Sequence, residues 1–103
     1  MLSYYELHTS TEEKVLNGFV IDEQKNSTMK ALGLKQFRSC GKKYNEKYAR
    51  KKDREKAKKL WGDKVDLSQY RIHHGFNGLV GLVPKDLHTA ITHYGYFWRL
   101  SWI

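Results

Sequence analysis

Residues 70–93 read YRIHHGFNGLVGLVPKDLHTAITH, and this stretch decides the fold of the chain. The β-forming residues of Leu67–His74 predict one strand, and the apolar run Leu79–Val83 predicts a second. Asn77-Gly78 between the two runs is a hairpin signal. Pro84 suits the first position of a helix, where its missing N–H costs nothing. The pattern therefore predicts a strand, a hairpin, a strand and a short helix, in this order.

The residues before this stretch are predicted to be mostly helical. Good helix formers without Pro or Gly in Lys42–Trp61 predict a helix of about five turns. Ser10-Thr11-Glu12-Glu13 has the form of a capping box, which starts a helix that Gly18 should end. A second, short helix from about Ser27 should end at Gly33. An extended segment and a polar turn complete the predicted elements, at Leu2–Leu7 and Asp22–Asn26.

The predicted helix Lys42–Trp61 has two kinds of surface. Its large apolar side chains are expected to face the core, namely Tyr44, Tyr48, Leu60 and Trp61. Residues 50–56 are charged all round, which favours a segment that faces solvent or phosphate.

The chain is expected to form a single α+β domain over residues 1–103. Residues 1–62 form its mostly helical, basic support, and residues 63–103 contain the strand–hairpin–strand–helix unit and an apolar C-terminal segment that packs on the core. A chain of 103 residues buries about 60–65% of its unfolded surface. No run approaches the ~18 apolar residues of a membrane span, and the N-terminus lacks a signal-peptide pattern. We therefore expect a soluble domain without a membrane segment.

The positive charge is concentrated in one part of the chain. The net charge is +8, and residues 30–59 hold 13 Lys and Arg against 3 acids. Such a patch is typical of proteins that bind nucleic acids, although it also fits a soluble helix with four-residue ion pairs such as Glu46–Arg50. The residues predicted to contact phosphates are Lys47, Arg50, Lys51, Arg54, Lys58 and Arg99.

Four of the five histidines, His73, His74, His88 and His93, fall within 21 residues. Several imidazoles can surround one divalent metal, while another, unligated and facing solvent, takes a proton from water. Adjacent strand residues point to opposite faces, so His73 and His74 suit two different roles. Each histidine taken alone is more often a surface or hydrogen-bonded structural residue than a metal ligand, and His8 is assigned to that class. Arg71, on the same strand face as His73, is the candidate residue for binding the scissile phosphate.

The pattern His73-His74…Gly78-x3-Leu82-Val83-Pro84-x2-Leu87-His88-x4-His93-x-Gly95 resembles the HNH, or ββα-metal, nuclease superfamily. It is similar to the WHH branch found in bacterial polymorphic toxins and, more distantly, to the DNase domains of colicins. The resemblance covers residues 68–95. It implies that His74 is the general base and that His73, His88 and His93 bind one divalent metal ion, Mg, Mn, Ni or Zn. Ile72 stands where the branch has Trp, and Tyr94-Gly95-Tyr96 replaces a more usual Thr-Gly-Gly.

The resemblance and the basic patch together indicate a metal-dependent endonuclease of low sequence specificity, acting on DNA in preference to RNA, with RNA as the alternative substrate. It is expected to be the toxic module of a bacterial competition system, to act in the cytoplasm of the target cell and to be neutralised by an acidic immunity protein. One alternative is a free-standing, cytoplasmic HNH endonuclease of a phage or mobile element. The other is a non-catalytic nucleic-acid-binding protein with zinc in a closed site. Cys40 is alone, so no disulfide framework or four-cysteine zinc site is expected.

Overall fold

The predicted strand–hairpin–strand–helix unit is present and completes an α+β fold. A computed structural model describes residues 11–41 and 46–91 of the chain. The helices are α1 (Thr11–Leu32), α2 (Glu46–Trp61) and α3 (Lys85–Ala90), with a short 3-10 turn at Leu67–Gln69. The strands are β1 (Phe37–Arg38), β2 (Tyr70–His74) and β3 (Leu79–Pro84). The predicted extended segment at residues 2–7, the start of the second long helix at residues 42–45 and the C-terminal apolar segment lie outside the described residues.

The strands form an antiparallel sheet in the order β1-β3-β2. The hairpin between β2 and β3 turns through residues 75–78, where the Gly75 N–H donates to the Leu79 carbonyl at 3.0 Å. Gly78 has a φ of 79°, a conformation that glycine adopts without steric cost. The hairpin predicted at Asn77-Gly78 is therefore confirmed. Pro84 ends β3 and immediately precedes α3, so it lies one position before the predicted one.

Helix α1 is continuous over 22 residues, and the prediction that Gly18 ends a helix before a polar turn at Asp22–Asn26 is wrong. Ile21, Lys25 and Met29 are all buried at four-residue spacing, so one face of the helix packs against the sheet. The stability gained by burying this face outweighs the cost of a mid-helix glycine, which is about 1 kcal/mol. Gly33 ends the helix as predicted, with a φ of 68°.

Helix α2 ends at Trp61, as predicted, and its buried stripe consists of Ala49, Asp53, Ala57 and Trp61. The prediction that Tyr48 and Leu60 face the core is wrong, because these side chains are 40% and 43% exposed. Tyr48 directly precedes Ala49 and Leu60 directly precedes Trp61, so each lies about 100° around the helix from the buried face. The expectation that residues 50–56 are solvated all round fails at Asp53, which is buried.

The core lies between the sheet and the two long helices. Its buried members are Met29, Phe37, Ala57, Trp61, Val80 and Leu82. The rings of Phe37 and Trp61 lie 5.3 Å apart, and the indole N–H of Trp61 donates to the Lys35 carbonyl at 3.2 Å. Strand β1, which was not predicted, pairs Phe37 with Val80 and thereby places the loop after it against α2. Within residues 11–41 and 46–91, no helix has the length and apolarity to cross a membrane.

Candidate functional site

The two adjacent histidines occupy the end of β2 and reach two different helices. Nε2 of His73 lies 2.6 Å from Asp22 Oδ1 on α1, and Nε2 of His74 lies 2.8 Å from Asp53 Oδ2 on α2. Successive strand residues point to opposite faces, so each helix presents a carboxylate to one face of the strand end. The structure therefore contains two Asp–His pairs built around one His-His dipeptide.

Asp53 is held by a set of donors from the loop after β1. The Ser39 hydroxyl donates to Asp53 Oδ2 at 2.6 Å, and the Cys40 backbone N–H donates to Asp53 Oδ1 at 3.2 Å. The Cys40 Sγ lies 3.3 Å from the same Oδ1. Burial by itself would raise the pKa of Asp53, but the hydrogen bonds from Ser39, His74 and Cys40 outweigh it and the pKa is lowered. Asp53 is therefore an ionised, fixed acceptor for the imidazole.

Burial lowers the pKa of His74 below its ordinary value of 6.5. Asp53 opposes this shift, whereas the electrostatic influence of His73 and Arg50 reinforces it. The side chain of His74 is 13% exposed, so the prediction of a solvent-facing imidazole is wrong, because α2 covers one edge of the ring. A neutral imidazole with a carboxylate on one nitrogen is the form that a general base needs.

The pair on the other face, Asp22 and His73, is accompanied by a buried lysine. Lys25 is 0% exposed, and its Nζ donates to the Leu79 carbonyl at 2.9 Å and to Asn77 Oδ1 at 3.4 Å. Burial lowers the pKa of Lys25, and Asp22 opposes this shift. Asp22 also accepts the Phe76 N–H at 2.7 Å through Oδ2. Polar contacts of Asp22 and Lys25 thus bind helix α1 to the tip of the hairpin.

Glycines in the sheet make room for this lysine. A Cβ at Gly81 would lie 2.6 Å from Lys25 Cγ and 2.9 Å from Lys25 Cδ. A Cβ at Gly75 would overlap Lys25 Nζ. The stem and the amine of Lys25 therefore occupy the space that larger residues at these two positions would fill.

Two of the three predicted metal ligands lie together. The rings of His73 and His88 have centroids 5.5 Å apart and an interplanar angle of 69°. Two imidazoles on one tetrahedral metal, at metal–nitrogen distances of about 2.1 Å, have centroids roughly 5 Å apart, so this pair fits a shared cation. His93, the third predicted ligand, lies outside the described residues. Among residues 11–41 and 46–91, no three His, Cys, Asp or Glu side chains form a metal-binding group.

The predicted phosphate-binding residues of α2 form one stripe on its surface. By the ~100° step per residue they span an arc of about 100° on the helix, and all are exposed. We call these residues the basic stripe: Lys47, Arg50, Lys51, Arg54 and Lys58. Its Arg50 lies three residues before Asp53 and influences the pKa of His74. The stripe therefore borders the Asp53–His74 pair.

The structure describes one of the two predicted phosphate-binding arginines outside α2. Arg71 is exposed on β2, opposite Val83 of β3. By the alternation of the strand it shares a face with His73. Arg99 lies outside the described residues.

Three residues of the site were missed by the sequence analysis: Asp22, Lys25 and Asp53. The sequence predicts Asp22 and Lys25 in a polar turn, and Asp53 in a segment that faces solvent or phosphate. A signal was present for two of them, since Asp53 continues the four-residue series of Ala49 and Ala57, and Lys25 stands midway between Ile21 and Met29. A charged residue at a core position of a helix indicates a buried polar partner.

Comparison of the chain with protein-family models, with curated proteins and with solved structures gives no match. The chemistry of the site is therefore the basis on which we assign a function.

Proposed function

We propose that this chain is a metal-dependent endonuclease of the HNH kind that hydrolyses phosphodiester bonds in DNA. The observation that carries the proposal is the Asp53–His74 pair, which lies at the end of β2 and borders the basic stripe. A buried carboxylate that orients an imidazole is a recurrent arrangement for removing a proton from a nucleophile. Next to a surface suited to phosphates, the nucleophile that fits this arrangement is a water molecule attacking phosphorus.

His74 acts as the general base in this proposal. Asp53 only accepts hydrogen bonds as a carboxylate, so Nε2 of His74 carries the proton and the lone pair of the neutral ring belongs to Nδ1. When Nδ1 takes a proton from water, the imidazolium is stabilised by the adjacent carboxylate. Ser39 and Cys40 keep Asp53 in place during this transfer.

His73 and His88, with His93 as the third predicted ligand, hold the divalent cation. When bound, the cation neutralises charge that develops on the phosphate and on the leaving oxygen. His74 leaves the opposite face of the strand from His73, so it is poorly placed to join His73 and His88 in a closed zinc site. This separation favours the enzyme over the non-catalytic zinc protein.

The basic stripe and Arg71 bind the phosphate backbone. Contacts of this kind do not depend on base sequence, and their strength falls with salt. A duplex that lies along α2 would pass close to His74, the proposed general base, on the side of the basic stripe where Arg50 lies. Low sequence specificity follows from this arrangement, because the contacts proposed here reach phosphates and not base edges.

Plasmid cleavage tests the proposal. Wild type should nick and linearise plasmid DNA with at least one of Mg²⁺, Mn²⁺, Ni²⁺ or Zn²⁺, and EDTA should stop the reaction. His74→Ala should bind DNA and metal but lose cleavage by about 10²–10⁴-fold. His8→Ala, the same change at a histidine for which the sequence predicts no role in catalysis, should cut at the wild-type rate.

Three results would reject parts of this proposal. Unchanged cleavage by His74→Ala would reject His74 as the base, and no cleavage of DNA or RNA by wild type with any of the four metals would reject the enzymatic activity. Intact plasmid together with degraded transfer RNA would move the substrate to RNA.

We also propose that the nuclease is a toxin of bacterial competition that acts in the cytoplasm of the target cell. The small, strongly basic domain suits a partner that is an acidic immunity protein, because opposite charge speeds association. Expression of wild type in the bacterial cytoplasm should stop growth, whereas His74→Ala should not. The product of a reading frame directly downstream that encodes a small acidic protein should restore growth when it is expressed together with wild type. If growth is not restored, this protein is rejected as the inhibitor.

A further inference from the structure

Both carboxylate oxygens of Asp22 are engaged by the hairpin. Oδ1 lies 2.6 Å from Nε2 of His73, and Oδ2 accepts the Phe76 N–H at 2.7 Å. Asp22 lies on α1, outside the strand–hairpin–strand–helix unit and 51 positions before His73 in the chain. A residue from outside the unit therefore decides the orientation of a predicted metal ligand inside it.

We propose that Asp22 is a positioning residue that presents Nδ1 of His73, and not Nε2, to the divalent cation. The inference rests on the proposed function in that it takes His73 as a ligand. An ionised carboxylate cannot donate a hydrogen bond, so Nε2 of His73 carries the proton. The lone pair that can bind a cation then belongs to Nδ1 of the same ring.

Asp22 acts through His73 and is not itself a ligand. Its two oxygens already accept hydrogen bonds from the ring and from the backbone of Phe76, so a cation at either oxygen would displace a partner. Histidines that bind metals commonly donate their second ring N–H to a carboxylate, which sets the tautomer and the direction of the ring. The Asp22–His73 pair has this arrangement.

Lys25 fixes the position of the Asp22 carboxylate relative to the hairpin. It is one turn after Asp22 on α1, is fully buried, and binds the Leu79 carbonyl and Asn77 on the hairpin. Gly75 and Gly81 leave space for its amine and its stem. Helix α1 therefore cannot slide along the sheet without breaking these contacts, and the Asp22–His73 distance is maintained.

Nuclear magnetic resonance of the wild-type protein with ¹⁵N-labelled histidine tests the coordinating atom directly. Long-range ¹H–¹⁵N spectra of the metal-free protein should show His73 protonated at Nε2. Addition of Zn²⁺ should shift the Nδ1 resonance of His73 while Nε2 keeps its proton. A Zn²⁺-dependent loss of the Nε2 proton would overturn the inference, and so would the absence of any change at His73.

Zn²⁺ affinity of matched variants supplies a second readout. Asp22→Ala should weaken Zn²⁺ binding by about 10- to 100-fold, whereas Glu23→Ala, the same charge change at the exposed neighbour, should not. Asp22→Asn keeps an acceptor oxygen and should lose less affinity than Asp22→Ala. Wild-type affinity in Asp22→Ala would overturn the inference, and if this variant does not fold the spectra of the wild type decide.

The inference and the nuclease proposal can fail separately. Zn²⁺ at Nε2 of His73 together with normal plasmid cleavage would reject the role of Asp22 alone. Zn²⁺ at Nδ1 together with no cleavage of DNA or RNA would reject the nuclease and leave the positioning role in place.

Discussion

The Asp53 carboxylate lies 2.8 Å from Nε2 of His74 and joins the middle of α2 to the end of β2. The two residues are 21 positions apart in the chain, and the carboxylate is 1% exposed. The same oxygen accepts the Ser39 hydroxyl, so three separate segments meet at one buried charge. This contact gives the proposed base its orientation, and it connects the helix that we propose to bind phosphates to the proposed centre of the chemistry.

Replacement of Asp53 should impair cleavage much more than binding. In Asp53→Asn the amide can turn its NH₂ group to His74, which would favour the tautomer with the lone pair on Nε2 and misplace the base. We expect the rate of plasmid cleavage to fall by about 10²-fold or more, with DNA affinity within a few-fold of wild type. Glu55→Gln, an exposed acid on the same helix, is the control. Equal cleavage rates in the two variants would contradict the role of Asp53.

Acidification should destabilise the metal-free protein in two steps. Burial lowers the pKa of His74 below 6.5, so the unfolded chain takes up its proton first and stability falls as the pH drops from 6.5. Burial raises the pKa of Asp53, but the hydrogen bonds led by that from Ser39 outweigh it, so its pKa lies below 3.8. The contribution of Asp53, complete above pH 3.8, is lost as the pH falls through the lowered folded pKa.

Urea unfolding in EDTA at a series of pH values measures both steps. His74→Asn should make the free energy of unfolding vary less with pH just below 6.5, because a titrating group with a lowered folded pKa has been removed. A steeper dependence in His74→Asn than in wild type would show that the assigned sign is wrong.

Gly81→Ala should destabilise the fold by about 1–3 kcal/mol, the usual range for an overpacked core. The added methyl group would press on the Lys25 stem at 2.6 Å, and the buried lysine has little room to move. Chemical denaturation measures the change. In a double-mutant cycle with Lys25→Ala, which removes the opposing stem, the two effects should be non-additive. Additive effects would mean that Lys25 is not the group that excludes a side chain at position 81.

Neutralising part of the basic stripe should reduce the salt dependence of DNA binding. Each phosphate contact contributes about 0.9 to the slope of log K against log salt. The triple variant Lys51→Gln, Arg54→Gln, Lys58→Gln should therefore lower the slope by up to about 2.7. A control with the same charge change at exposed lysines outside α2, at positions 30, 35 and 64, should change the slope less. Equal slopes in both triple variants would indicate that net charge, and not the stripe, binds DNA.

Local features of the fold were predictable because their causes are local. Asn77-Gly78 specifies a tight turn, Gly33 ends α1 because it adopts a positive φ, and the apolar run before Pro84 forms a buried strand. The proximity of His73 and His88 was also predicted, since a hairpin followed directly by a short helix brings the two positions together. These outcomes depend on interactions within about 20 residues of sequence and on backbone preferences that a single sequence displays.

The partners of the two histidines were decided only by the tertiary structure. Gly18, Asp22 and Asn26 have a low intrinsic preference for helix. Packing of Ile21 and Met29 against the sheet nevertheless keeps α1 continuous and carries Asp22 to His73, 51 positions away. Similarly, burial of Ala49, Ala57 and Trp61 turns one face of α2 inward, and Asp53 on that face reaches His74. Propensity acts between neighbouring residues, whereas the burial that overrides it acts between segments distant in sequence. The sequence alone therefore determined the hairpin, the end of α1 at Gly33 and the proximity of His73 and His88, and only the packed structure decided which carboxylate lies beside each imidazole.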